Sequence, residues 1–100
     1  MNSIDFADHI SWQILPNQQF GFVYNIKERK YYELTDTELV VWNIISQHKN
    51  IESSSLIDIV AGYYEIEKKK VAQDIIEFID SLYEIGVIRK NGRDKYKNTL

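Results

Sequence analysis

The chain contains no cysteine, a single proline and only four glycines among its 100 residues. Without cysteine there is no disulfide framework, no cysteine-held zinc site and no thiol nucleophile. Such a composition is compatible with a reducing compartment. No apolar run approaches the ~18 residues that a membrane-spanning helix needs. The start, Met1-Asn2-Ser3-Ile4-Asp5, lacks the basic-then-apolar order of a signal peptide. Gly21, Gly62, Gly86 and Gly92 are scattered, so neither a Gly-x-Gly-x-x-Gly turn nor a P-loop is present. No Gly-x-Ser-x-Gly nucleophile elbow occurs. His9 and His48 stand far apart in unlike elements, and neither belongs to a metal-ligand spacing. His48 reads instead as a helix-end residue and His9 as a surface residue. Acid pairs such as Asp74 and Glu77 are ordinary helix-surface spacings. The missing parts of a site lead to the expectation of no enzymatic activity, no cofactor and no metal. The expected location is the cytoplasm, with which the absence of cysteine and of a signal peptide is compatible.

What is present suffices for one small domain. Apolar residues make up 44% of the composition, enough to fill a single core at this length. The expected domain is residues 1–100, with its core at about 10–90. The charge is unevenly spread. Residues 1–85 carry seven basic and fourteen acidic side chains, whereas residues 86–100 carry five basic and one acidic. An acidic body with a basic tail results.

The first third reads as strands. Trp12 and Ile14 alternate with polar neighbours, and Phe20, Phe22, Tyr24 and Ile26 alternate with Gly21, Val23 and Asn25. A period of two sets the aromatic residues on one sheet face. Tyr31-Tyr32-Glu33-Leu34 follows the polar link Lys27 to Lys30 as a third strand, completing an antiparallel meander. Thr35-Asp36-Thr37-Glu38 has the form of a capping box ahead of the apolar run Leu39 to Ile45, which predicts a buried first helix ending at Gln47-His48-Lys49-Asn50. Ser53, Ser54 and Ser55 supply caps for a second helix carrying Leu56, Ile59, Val60 and Tyr63. A third helix is expected from about Glu67 to Ile85, stopped by Gly86. Asn91-Gly92 suggests a turn between 87–90 and 93–96, hence a small terminal hairpin or wing. The expected fold class is α+β and winged helix-turn-helix-like: an N-terminal three-stranded antiparallel sheet, three helices and a short C-terminal hairpin.

The third helix has two apolar stripes. Val71, Ile75, Phe78, Leu82 and Ile85 form one; Ala72, Ile76, Ile79 and Tyr83 adjoin it. Together they span about half the circumference, more than the ~100° that a surface helix buries. Either both stripes are covered by sheet and helices, or one edge lines a groove with Asp74 at its rim. A winged helix-turn-helix also raises DNA binding. The charges oppose it, since Glu67 to Ile85 holds five acids against three bases, Lys68 to Lys70, all at the helix start. Those lysines and the wing bases Arg89, Lys90, Arg93 and Lys95 are the remaining candidates for a basic spot.

These residues in this order resemble the PqqD-like family, the recognition elements of ribosomally made, modified peptides. The resemblance spans about Ile10 to Lys90. It rests on Phe20-Gly21-Phe22-Val23-Tyr24, on Tyr32-x-Leu34-Thr35, and on Val41-Trp42 followed by Ile44-Ile45. It continues through Leu56-x-x-Ile59-Val60 and Val71-x-x-Asp74-Ile75-x-x-Phe78-Ile79-x-x-Leu82 to Gly86-Val87-Ile88. Two loops depart from the family pattern: Lys27 to Lys30 and Gln47 to Asn50 lack the frequent glycine. The resemblance implies a non-catalytic chain that binds the leader segment of a precursor peptide and delivers it to modifying enzymes. The leader would add to the third strand, Tyr31, Tyr32, Glu33 and Leu34, against a wall drawn from Val71, Asp74, Ile75, Phe78, Ile79 and Leu82. Which strand face meets the leader is left open by alternation alone. Within the family the chain is most similar to the stand-alone leader-binding subunit of lasso-peptide biosynthesis, whose partner is a leader peptidase related to transglutaminase-like cysteine proteases. The alternatives are the peptide chaperone of pyrroloquinoline quinone synthesis, which serves a radical enzyme, and a recognition subunit for another modified-peptide class. The resemblance implies neither a nucleic-acid nor a membrane partner.

Overall fold

The computed structural model describes residues 3–15, 17 and 19–91, and among these the chain forms six strands and three helices. They run β1 (Ser3–Phe6), β2 (Ile10–Leu15), β3 (Phe20–Asn25), β4 (Lys30–Thr35), α1 (Thr37–Gln47), β5 (Ile51–Glu52), α2 (Ser53–Tyr64), α3 (Lys68–Glu84) and β6 (Ile88–Asn91). The expected meander is β2-β3-β4, antiparallel throughout.

Its register decides which face is core. Trp12 lies opposite Val23, which lies opposite Tyr32; Ile14, Gly21 and Leu34 form the next such row. Val23 and Leu34 are wholly buried, so the small and aliphatic set faces inward. Gly21 is required there, because a Cβ would stand 2.9 Å from the Gln13 carbonyl oxygen and 3.2 Å from the Leu39 side chain. The aromatic set therefore faces outward. Along β3, Phe20 meets Phe22 edge to face at 4.7 Å between centroids and Phe22 stacks on Tyr24 at 5.9 Å, and Tyr31 of β4 joins them at 6.2 Å from Tyr24.

Two strands escape the sequence pattern. β1 and β5 are too short to display a period, yet they build a second antiparallel sheet in the order β5-β1-β6. Ile4 of β1 is fully buried, and Phe6 at its end stacks on Trp42 of α1 at 4.6 Å. The expected wing strand exists as β6, but its partner is β1, with Phe6 opposite Ile88. The second arm expected at 93–96 lies outside the described residues. The architecture is thus a mixed α+β fold, in which β6 joins β1 at the edge of the second sheet.

The helices start differently from the expected caps. Asp36 is the residue before α1, and no side chain caps that end. Half of the box survives: the Glu38 carboxylate reaches back to accept the Thr35 N–H at 3.2 Å. Ser53, Ser54 and Ser55 lie inside α2 behind Glu52 and are not its caps. α2 closes at Glu65, which takes a left-handed backbone (φ 57°) just past the helix. α1 is buried as expected, through Leu39, Val41, Trp42, Ile44 and Ile45. At its end His48 Nδ1 lies 2.9 Å from the Ile44 carbonyl. α3 buries Val71, Ile75, Phe78, Ile79 and Leu82, and Gly86 follows it at φ 79°. The buried Asn25 of β3 donates from Nδ2 to the Ile85 and Gly86 carbonyls and accepts the Glu28 N–H, tying the sheet to the end of α3. No helix among the described residues is long and apolar enough to cross a membrane.

Candidate functional site

β4 is the last strand of its sheet, so one of its edges has no strand partner among the described residues. Antiparallel pairs alternate between residues that exchange backbone hydrogen bonds and residues that do not. The Ile26 N–H donates to the His9 carbonyl at 2.9 Å, just beyond the Ile10–Asn25 pair. On β3, residues 20, 22, 24 and 26 therefore turn their backbone toward β2, and residues 21, 23 and 25 toward β4. Their partners on β4 are Leu34, Tyr32 and Lys30. Tyr31, Glu33 and Thr35 are left with N–H and C=O groups aimed at the open edge. The Thr35 N–H is the one that Glu38 takes.

Beside this edge lies a cleft of about 460 Å³. The start of α1 lines it with Thr37, Glu38 and Val41, and the link after α2 with Tyr64 and Ile66. The wall of α3 supplies Lys70, Val71, Asp74, Ile75 and Phe78. Tyr32 connects edge and cleft. Its ring packs on Phe78 at 5.7 Å between centroids, and its hydroxyl donates to Glu38 Oε2 at 3.2 Å. Burial, together with the adjacent Glu38 carboxylate and the hydrogen bond to it, holds the Tyr32 phenol above the ordinary tyrosine range, while a hydrogen bond with Ser81 pulls it back. The cleft is apolar at depth and carries opposite charges, Lys70 and Asp74, one helical turn apart. An extended peptide laid along β4 would thus find backbone partners on one side and apolar space on the other.

The expected site residues separate into three groups. Tyr32, Val71, Asp74, Ile75 and Phe78 converge on the cleft or its edge. Tyr31 and Glu33 lie on the same strand with exposed side chains on the outer face, Tyr31 being 57% exposed. Leu34 and Leu82 are completely buried, and Ile79 lines a separate hollow behind α3 with Leu56, Ile76 and Lys90. The side chains of these three serve the core or the far side of the helix, because a helix wall has two flanks and periodicity does not say which one is open. The second apolar stripe divides in the same way: Ile79 is buried, whereas Ile76 and Tyr83 are 43% and 50% exposed.

Glu38, Lys70, Tyr64 and Ile66 were not expected at the site. Glu38 was legible only as a helix-start residue. Tyr64 and Ile66 reach the cleft because the chain reverses at Glu65, a left-handed residue that sequence spacing does not announce. The candidate basic spot is offset by acids: Lys68 pairs with Asp58 at 2.8 Å, Lys69 with Glu67 at 3.8 Å, Arg89 with Asp5 at 3.8 Å and Lys90 with Asp80 at 2.7 Å. Arg93 and Lys95 lie outside the described residues.

Comparison with known proteins adds two positive findings. The family model described as coenzyme PQQ synthesis protein D (PqqD) matches residues 21–88. That segment holds β3 from its second residue, β4, β5, all three helices and the first residue of β6, hence both the open edge and the cleft. Among solved structures, the one described as TbiB1 in complex with the TbiA(beta) leader peptide superposes with a TM-score of 0.73. The two chains are 13% identical, and the match covers 85% of this chain and 94% of that one. The likeness is one of fold. No curated protein sequence matches the chain significantly.

Proposed function

The chain belongs to the PqqD family, and from that premise we propose that it binds the leader segment of a ribosomally made precursor peptide as an added strand on β4. The observation that carries this reading is the adjacency of an open strand edge and an apolar cleft, joined by the Tyr32–Phe78 contact. Strand addition satisfies the free N–H and C=O groups of the edge, while pockets beside it read alternate side chains. Tyr31 and Glu33 offer backbone, and Tyr32, Val71, Ile75 and Phe78 form the apolar floor. Asp74 stands at the rim, exposed and with room for a donor on the peptide. Leu34, Ile79 and Leu82 hold this surface in place from behind. The similarity of fold to TbiB1, solved with a leader peptide, supports the same reading.

The enzyme that receives the peptide follows from the resemblance in sequence. The lasso-peptide assignment pairs this non-catalytic chain with a leader peptidase of the transglutaminase-like cysteine protease kind. The description of the matching family model favours a second pairing, with the radical enzyme of pyrroloquinoline quinone synthesis. Capture of each purified enzyme on the immobilised chain discriminates between the two.

Leader binding itself is tested by titrating the chain into a fluorescein-labelled peptide made from the leader of the precursor encoded beside it. Saturable binding at micromolar concentrations is expected. Absence of saturation sinks the reading. Duplex DNA in a low-salt gel shift is expected to run unshifted, since Lys68 and Lys69 of α3 and Arg89 and Lys90 of β6 are paired with acids.

A further inference from the structure

The open edge of β4 is shorter than the strand. At its first end, Arg29 has a left-handed backbone (φ 57°), so the chain turns away before another residue can face the edge. At its other end, Glu38 Oε1 accepts the Thr35 N–H at 3.2 Å and lies 3.5 Å from the Thr35 hydroxyl. The second carboxylate oxygen is held by the Tyr32 hydroxyl at 3.2 Å. Glu38 thus occupies the place where the carbonyl of an added strand would accept from Thr35. Its negative charge repels a carbonyl oxygen brought alongside, because two acceptors would then face one donor. Between these ends only Tyr31 and Glu33 present both backbone groups.

We infer that Glu38 is a register stop, which closes the edge at Thr35 so that a bound leader pairs only with the backbone of Tyr31 and Glu33. This rests on the leader-binding reading above. In either strand direction, the leader then uses two of its own N–H groups, two residues apart, to reach the Tyr31 and Glu33 carbonyls. Side chains of a strand alternate between faces. The leader residue beside Tyr32 therefore points inward to Phe78 and the cleft, and its two neighbours point outward beside Tyr31 and Glu33. A single register follows from two closed ends, where a longer edge would permit slippage by two. Glu38 acts as a specificity-determining residue, although the sequence presents it only as part of a helix start.

The test is an N-methyl scan of the labelled leader peptide, one backbone N–H removed at a time, with binding measured by anisotropy. The wild-type chain is expected to show two sensitive positions, spaced by two, each weakened about tenfold or more. Glu38→Gln retains an acceptor oxygen for Thr35 and is expected to keep that pattern. Glu38→Ala clears the carboxylate from the edge, so that one more leader residue can lie alongside, its carbonyl accepting the Thr35 N–H and its own N–H or the next reaching the Thr35 carbonyl. This is expected to add a third sensitive position in the same series. Three sensitive positions on the wild-type chain, or only two on folded Glu38→Ala, overturn the register stop while leader binding stands. If the unmodified peptide does not bind, the leader-binding reading falls and takes this inference with it. If a thermal melt shows Glu38→Ala unfolded, the wild-type scan decides alone: two positions support the stop and three overturn it.

Discussion

Tyr32 of β4 and Phe78 of α3 meet ring to ring, 5.7 Å between centroids, and this contact fixes the distance between the open strand edge and the helix wall beside it. Phe78 is 7% exposed and Leu82, one turn on, is fully buried. The wall of the cleft is therefore also the wall of the core, and the site inherits its rigidity from the fold.

Removing the Phe78 ring accordingly affects both. Phe78→Ala is expected to cost about 3–5 kcal/mol of stability, as for other buried aromatic truncations. Urea unfolding measures this cost. Leader affinity is then compared only under conditions where the variant remains folded. A loss below about 1 kcal/mol would show that Phe78 is not held as described.

Asp74 separates binding from folding. Its side chain is exposed on the cleft rim and makes no ion pair among the described residues. Asp74→Lys is expected to leave the unfolding midpoint nearly unchanged, within about 0.5 kcal/mol. It is expected to weaken leader binding severalfold, with a changed salt dependence. Unaltered affinity in the titration would remove Asp74 from the site.

Asn25 and Gly86 form one unit at the far end of α3. A Cβ on Gly86 would stand 2.6 Å from Asn25 Nδ2, at a backbone φ of 79° that disfavours any side chain. Gly86→Ala is expected to cost about 1–2 kcal/mol through its backbone alone, with crowding against Asn25 in addition. Asn25→Ala leaves two carbonyls and the Glu28 N–H without their partner, at about 1–3 kcal/mol. The Asn25→Ala, Gly86→Ala pair is expected to be less destabilised than the sum, because the first change removes the clash of the second. Additive losses in a double-mutant cycle would contradict the coupling.

The raised Tyr32 phenol gives a pH signature. The folded chain holds this proton more tightly than the unfolded chain, whose tyrosines titrate near the ordinary value of 10.0. The contribution is fully present below that pH and is lost as pH rises through the folded value. Tyr32→Phe is therefore expected to lose less stability than the wild type between about pH 9 and 11. Equal alkaline losses in parallel urea titrations would contradict the Tyr32–Glu38 interaction.

Much of this arrangement is legible in the residues. Alternation from Trp12 to Leu34 and the broad apolar face from Val71 to Leu82 locate the meander and α3 to within a residue or two. The same patterns do not say which face is covered. Phe20, Phe22 and Tyr24 are the bulkier set of β3, yet the inward set is Gly21, Val23 and Asn25, because α1 packs close enough that Leu39 touches the position of a Gly21 Cβ. β1 is invisible to periodicity at four residues, and its two partners, β5 and β6, lie far along the chain. Glu38 has a dual place, helix start and strand edge, that appears only when Thr35 is seen to turn its N–H outward.

The most direct measurement is amide hydrogen exchange on the chain with and without a saturating amount of the synthetic leader peptide. Strand addition on β4 predicts that the Tyr31 and Glu33 amides, open to solvent in the free chain, become strongly protected in the complex. The Thr35 amide, already bonded to Glu38, is expected to change little. Saturable binding that leaves the Tyr31 and Glu33 amides exchanging at their free rates would contradict strand addition at this edge.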